Sequence, residues 1–270
     1  MTVNTIYNLP VSVPTHRGNP MHNEPDSLQS KVALISGSAR RIGAEIARCL
    51  HGSGMNIALH YRTSLDDARR LRDELNATRP ASVQLFEADL RDRSAIDEMV
   101  ASVKDTFMRM DVLVNNASGF FATPLGAIDD DAYNELLDTN LKAPLFLAQA
   151  VAPQLKLTKG CIINIADIYG LKPLAGHVVY CASKAGLIMM TRSLALELAP
   201  DVRVNAIAPG AILWPETDCD DKERAAVLAG TPMGRAGEPA DIAQTVLFLV
   251  RDAHYVTGQV IKVDGGRAIG

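Results

Sequence analysis

Seven short apolar runs recur along the chain and constrain its fold more than any other feature. They are Val32–Ser36, Ile57–Tyr61, Val83–Glu87, Val112–Asn115, Cys161–Ala166, Val202–Ala208 and Val260–Val263. A strand with one wet face alternates polar and apolar residues, and these runs do not. They predict strands buried on both faces, as in a parallel sheet covered by helices. The text between them supplies the helices. Ile96, Met99, Val100, Val103 and Phe107 fall at i, i+3, i+4, i+7 and i+11. Leu187, Met190, Leu194 and Leu198 form a second stripe, and Ile242, Val246, Leu249 and Val250 a third. Strands alternating with helices require right-handed crossovers. The expected fold class is α/β: a single doubly wound, Rossmann-type domain with a seven-stranded parallel sheet and flanking helices.

The domain is expected to span 31–270. Residues 1–30 hold four prolines and no helical or strand period, which predicts a flexible N-terminal arm. The arm has no basic segment followed by an apolar stretch, and only one arginine, so it reads as neither a signal nor a transit peptide. Composition excludes further classes. A net charge of −4 argues against nucleic acid as a partner. No apolar run approaches the ~20 residues that a membrane-spanning helix needs. The cysteines at 49, 161, 181 and 219 lack C-x-x-C pairing. They read as reduced thiols of a cytoplasmic protein, with no metal site.

The first run leads into Gly37-Ser38-Ala39-Arg40-Arg41-Ile42-Gly43. Gly37 permits a tight strand-to-helix turn, and Gly43 permits close packing of the helix. The amides of Arg40, Arg41 and Ile42 at the helix start suit a pyrophosphate. The second run ends His60-Tyr61-Arg62-Thr63-Ser64, with no carboxylate before Asp66. A site for NAD usually has an acidic side chain here for the ribose hydroxyl. Donors from His60 to Ser64, with Arg41, suit a 2′-phosphate instead, so the expected cofactor is NADPH. Asp89, beside Leu90 after the third run, is placed to meet the adenine amino group.

Tyr180 and Lys184 stand at i and i+4, on one face of a predicted helix. A nearby ammonium lowers a phenol from its usual ~10 and makes it a proton donor near neutral pH. The turn at 37–43, Asn115-Asn116-Ala117-Ser118, Asn140, the Tyr180/Lys184 pair, Pro209-Gly210 and the ending Thr257-Gly258-Gln259…Asp264-Gly265-Gly266 together resemble the short-chain dehydrogenases/reductases. The resemblance covers about 31–270. It implies that Lys184 holds the nicotinamide ribose, that Asn140 props a proton-relay water, and that Pro209 and Gly210 lie against the nicotinamide. It also implies that Asn116, Ala117 and Ser118 border the cofactor.

Three departures from the family pattern point to the substrate. The family's serine, thirteen positions before the tyrosine, is Asp167 here. A serine hydroxyl donates to a carbonyl oxygen, whereas an ionised carboxylate only accepts. Asp167 therefore favours a C=N bond or a ring bearing N–H donors over a simple ketone. Arg41 replaces a glycine of the turn. Ser118-Gly119-Phe120-Phe121 replaces the usual Gly, and Phe120 offers a flat face to a planar ring. With these departures the chain resembles the pteridine reductases. That resemblance implies NADPH-dependent reduction of dihydropterins, with dihydrofolate or oxidised pterins as further substrates, in a homotetramer. It implies a pterin between Phe120 and the nicotinamide, with Arg41 and Ser118 on its polar edge and Asp167 and Tyr180 beside it. The family's substrate lid corresponds to 211–230, where Trp214 either covers the pterin or packs the loop. Two readings stay open beside this one. One is a carbonyl reductase acting on a 3-oxoacyl thioester or small ketone. The other is a non-catalytic NADPH-binding regulator, against which the intact Tyr/Lys pair counts.

Overall fold

The computed structural model describes residues 27–212 and 221–269. Seven strands form one all-parallel sheet in the order β3-β2-β1-β4-β5-β6-β7. They are β1 (Val32–Ile35), β2 (Asn56–Tyr61), β3 (Val83–Glu87), β4 (Val112–Asn115), β5 (Cys161–Ile165), β6 (Arg203–Pro209) and β7 (Val260–Val263). The helices are α1 (Arg41–Gly52), α2 (Leu65–Thr78), α3 (Arg93–Phe107), α4 (Asp130–Leu137), α5 (Ala143–Thr158), α6 (Val178–Leu198), α7 (Asp221–Ala229) and α8 (Pro239–Arg251). Strand order reverses between β1 and β4, and ligands of such sheets bind at the carboxyl ends beside that switch.

Burial explains why the runs are largely apolar. Ala33, Ile35, Ile57, Leu59 and Val114 face a core closed by Ile46 and Leu50 of α1 and by Ile242 and Val246 of α8. Leu34, Ala58, Leu113 and Ile162 face the opposite core, closed by Ile96 and Val103 of α3 and by Leu147 and Val151 of α5. Successive side chains point to opposite faces, and both faces are dry along β1, β4 and β5, while the edge strands β3 and β7 are partly exposed. The strand ends differ slightly from the runs. β1 ends at Ile35 and β5 at Ile165, although Ser36 and Ala166 still donate to the neighbouring strands, and β6 starts at Arg203 rather than Val202.

The proposed arm boundary also shifts. Leu28 is buried in the first core, and the Ser30 N–H donates to Gly54 O at 3.0 Å, so packing begins before Lys31. Residues 1–26 lie outside the described residues. Among the described residues no helix is long and apolar enough to cross a membrane, and no cluster of side chains could hold a metal ion. Cys49, Cys161 and Cys181 are free thiols, and Cys219 lies outside the described residues.

One polar group pins the central strand. The buried Asp111 carboxylate accepts from Val32 N–H at 2.8 Å and from Arg109 at 2.7 and 2.9 Å. Asp111→Ala leaves that N–H without a partner, which costs about 1–3 kcal/mol. The expected result is a lower urea midpoint with an unchanged m-value.

Candidate active site

The turn after β1 is sewn to the end of β4. Ser36 Oγ accepts from the N–H groups of Asn116 (2.9 Å) and Ala117 (3.0 Å). The Asn116 amide donates back to Ser36 O at 3.0 Å and Gly37 O at 2.9 Å. Gly37 has φ +60°, and a Cβ there would come within 2.9 Å of Ala117 Cα. A Cβ on Gly43 would lie 2.5 Å from both the Asn116 amide and Gly37 O. The two glycines are thus required by close backbone approach. Arg41, where the family has glycine, sits at φ +54°, in the left-handed region that L side chains rarely adopt. Such strain persists where surrounding structure enforces it, commonly at a ligand site.

Beside this turn lies a cleft of ≈ 400 Å³. It gathers Gly37, Arg40, Arg41, Ile42 and Gly43 from the turn, and Arg62, Thr63 and Ser64 from the end of β2. Asp89 and Leu90 follow β3, and Asn116, Ala117 and Ser118 follow β4. Arg91, Glu135 and Thr139 also line it and were not anticipated. Arg91 grips the Asp89 carboxylate through its Nε at 3.0 Å and holds it down at about pKa 2. Asp89 therefore presents an already paired carboxylate. The D-L-R spacing is its one sequence signal. Glu135 and Thr139 reach the cleft from α4 and the turn after it, a long-range arrival with no local signature.

His60 and Tyr61 also line the cleft, but with their polar atoms already engaged. The His60 ring is buried. Its Nδ1 accepts from Gly37 N–H at 2.9 Å, so its Nε2 carries the proton and faces Ala88 O at 3.1 Å. Burial lowers its pKa to about 4. It is a neutral strut under the turn rather than a phosphate donor. Tyr61 is buried, and its hydroxyl donates to the exposed Glu87 at 3.0 Å.

The reactive groups converge from β5 and α6. Tyr180 Oη donates to Asp167 Oδ2 at 2.8 Å, and Asp167 Oδ1 accepts from Tyr169 N–H at 2.8 Å. Lys184, buried, donates to Ile165 O at 3.0 Å, and its Nζ lies 5.8 Å from the Tyr180 ring centre. Burial raises the Asp167 carboxyl above its ordinary value, against the pull of the Tyr169 N–H and the Lys184 charge. Burial also brings Lys184 down to about 8. Tyr180 moves the opposite way from the sequence expectation. Burial and then the adjacent Asp167 charge push its pKa up. The lysine does not touch the hydroxyl, so its charge fails to offset the carboxylate that does.

Asn140 stands in a π-helical turn, Asp138–Lys142, between α4 and α5. Its side-chain oxygen accepts from Ser118 Oγ (3.0 Å) and Gly119 N–H (2.8 Å). Its amide donates to Gly119 O (3.0 Å) and Ser183 Oγ (3.1 Å). An asparagine side chain has four such positions, and all are used. It clamps the β4 loop to α6 and has no side-chain position left for a relay water. The same clamp holds Ser118. Phe120 is 51% exposed and meets Tyr180 edge-on, with centroids 4.8 Å apart. Pro209 ends β6, and Gly210 donates to Val263 O at 3.0 Å, where a Cβ would strike Asp264. Trp214, with most of the expected lid's first half, lies outside the described residues.

The family described as Enoyl-(Acyl carrier protein) reductase matches residues 37–268. The chain is similar to the 3-oxoacyl-[acyl-carrier-protein] reductase FabG of Staphylococcus aureus (strain Mu50), 37% identical over 241 residues, covering 88% of this chain and 98% of that one. The FabG of Thermotoga maritima is 36% identical over 248 residues, covering 90% and 99%. Among solved structures, a blue fluorescent protein from a metagenomic library, in complex with NADPH, superposes with a TM-score of 0.84 at 35% identity, covering 90% of this chain and 99% of that one.

The His60 strut has a measurable consequence. In the unfolded chain a histidine protonates near ~6.5. With the folded value at about 4, the unfolded state binds the extra proton first as pH falls. Stability therefore drops by roughly 3 kcal/mol between those two values and is unaffected by this group above them. Proton NMR of the His60 ring should show a midpoint near 4.

Proposed function

The chain belongs to the short-chain dehydrogenase/reductase family, and from that premise we propose that it reduces a ring C=N bond of a dihydropterin to the tetrahydro form, with dihydrofolate or oxidised pterins as further substrates. NADPH is the cofactor, and the residues present fit it. The Gly37–Gly43 cradle leaves no room for side chains against Asn116 and Ala117. Arg40, Arg41 and Arg62 border a cleft whose β2 end carries no carboxylate. Bound there, the cofactor supplies a hydride. Helix-start amides and Asn116–Ser118 would hold its phosphates and ribose, Lys184 the nicotinamide ribose, and Pro209 and Gly210 the ring.

The observation that carries the substrate reading is the 2.8 Å hydrogen bond from Tyr180 to Asp167. A carboxylate at this place repels the oxyanion that forms when a ketone is reduced. Against a ring that carries amino and N–H groups it is an acceptor. It also supplies a proton path. Tyr180 gives its phenolic proton to a ring nitrogen, and Asp167, in its acid form, passes a proton to the phenolate. The pair is left as Tyr–OH beside a carboxylate, and the 2.8 Å contact between Tyr180 Oη and Asp167 Oδ2 is the path for that proton. Phe120, edge-on to Tyr180, offers the planar ring a face, with Arg41 and Ser118 near its polar edge.

The names of the sequence relatives favour a second reading, reduction of a 3-oxoacyl thioester or small ketone by the same Tyr180/Lys184 pair. NADPH oxidation with dihydrobiopterin, dihydrofolate and acetoacetyl thioester, measured side by side, separates the two. Decay with the thioester and none with the pterins overturns the pterin reading. The intact Tyr180/Lys184 pair speaks against a non-catalytic regulator. Assembly as a homotetramer is proposed with the pterin reading. It draws support from Leu157 on α5 and Phe248 on α8, apolar and exposed. Three free thiols support a cytoplasmic setting.

Asp167→Ser should cut pterin kcat/KM by about 100-fold, the scale of a lost general acid. It should raise turnover of the thioester and leave NADPH affinity intact. The acid form of Asp167 is the active one, and its pKa is shifted upward. Pterin kcat should therefore fall as pH rises through that raised value, and Asp167→Ser should abolish this limb of the profile. Arg62→Ala removes a charged donor worth roughly 1.5–3 kcal/mol, so NADPH affinity should weaken about tenfold or more while NADH affinity holds.

A further inference from the structure

His177 lies just before α6, three positions ahead of Tyr180, and is the N-cap residue of that helix. Its imidazole stacks on Phe120, with centroids 4.9 Å apart and planes within 13°. Phe120 in turn stands at 82° to the Tyr180 ring. The three rings come from two segments, the loop after β4 and the approach to α6. Backbone joins these segments. The Thr123 N–H donates to Gly176 O at 2.6 Å, and Thr123 and His177 form a parallel bridge. His177 Nδ1 lies 2.9 Å from Ala175 O. A carbonyl only accepts, so Nδ1 carries the proton and the ring plane is fixed.

The neighbouring Phe121 packs against the buried cluster of Leu136, Val179 and Tyr180, whereas Phe120 points outward and is 51% exposed. A half-exposed phenylalanine on a loop samples several rotamers, and ordering it on binding costs affinity. The imidazole covers one face of Phe120, while half of the residue stays exposed next to the Tyr180 ring. An apolar backing of the same volume would fill the space without the ring-on-ring geometry.

We propose that His177 is a positioning residue for substrate selection, backing Phe120 so that its free face receives a planar heterocycle next to Tyr180. This rests on the pterin reading. It goes beyond that reading by assigning the preference for planar over flexible-chain substrates to a residue that touches neither the reacting atoms nor the cofactor cleft.

The test compares His177→Ala, His177→Leu and His177→Phe with wild type. KM and kcat are measured for dihydrobiopterin and for acetoacetyl thioester, alongside NADPH affinity and Tm. The Ala and Leu variants should raise the pterin KM by roughly three- to tenfold, the scale of a lost aromatic pair. The pterin kcat, the NADPH affinity and the thioester KM should hold, and His177→Phe should restore the pterin KM. Should His177→Ala fail to fold, the Leu and Phe pair decides. An unchanged pterin KM, equal changes for both substrates, or a Phe variant no better than Leu overturns the inference. A wild-type protein that turns over no pterin overturns the underlying reading and this inference with it. Wild-type pterin turnover with indistinguishable variants overturns this inference alone.

Discussion

The joint between the carboxyl ends of β1 and β4 supports everything that follows. Here Ser36 and Asn116 exchange four hydrogen bonds with each other's segments, over two glycines that cannot carry a side chain. Because β1 and β4 are where strand order reverses, loosening this joint would open the crevice itself. The joint is braced from both sides. His60 of β2 holds Gly37 from one side, and Asn140 clamps Gly119 from the other. The backbone amides that face the cleft are therefore held by buried neutral groups.

A second constraint governs the reactive centre. Three ionisable groups are packed together, and burial opposes the charged form of each. Asp167 rises, Lys184 falls and Tyr180 rises. The lysine spends its hydrogen bond on Ile165 O, and the phenol spends its own on Asp167. The proton thus rests on tyrosine, and phenolate is expensive until charge on Asp167 is relieved. A serine in that position would impose no such cost. The exchange of one side chain changes the sign of the potential where a substrate atom must sit, which is why a single position bears so heavily on substrate class.

Much of this was legible in the chain. The apolar runs located all seven strands because a doubly covered parallel sheet leaves no polar alternation to confuse the reading. Gly37 and Gly43 were legible because only glycine tolerates those approaches, and Tyr180 and Lys184 because i and i+4 share a helix face. The readings that changed concern partners distant in sequence. His60 looked like a donor at a strand end, yet its ring turns inward to Gly37 and Ala88. The Asn140 side chain is committed to Gly119, Ser118 and Ser183, partners that no local spacing discloses. His177 attracted no notice, because its partner Phe120 lies 57 positions earlier.

Residue identity and local period determined the strands, the cradle glycines, the Tyr/Lys face and the acid in the serine's place. These depend on backbone geometry and on neighbours within a few positions, which a sequence displays directly. Tertiary structure alone decided which donors are already committed and where the shared proton rests. It also decided that Phe120 is backed by an imidazole. Hydrogen-bond partners and desolvation are set by groups that folding brings together, so no spacing along the chain encodes them.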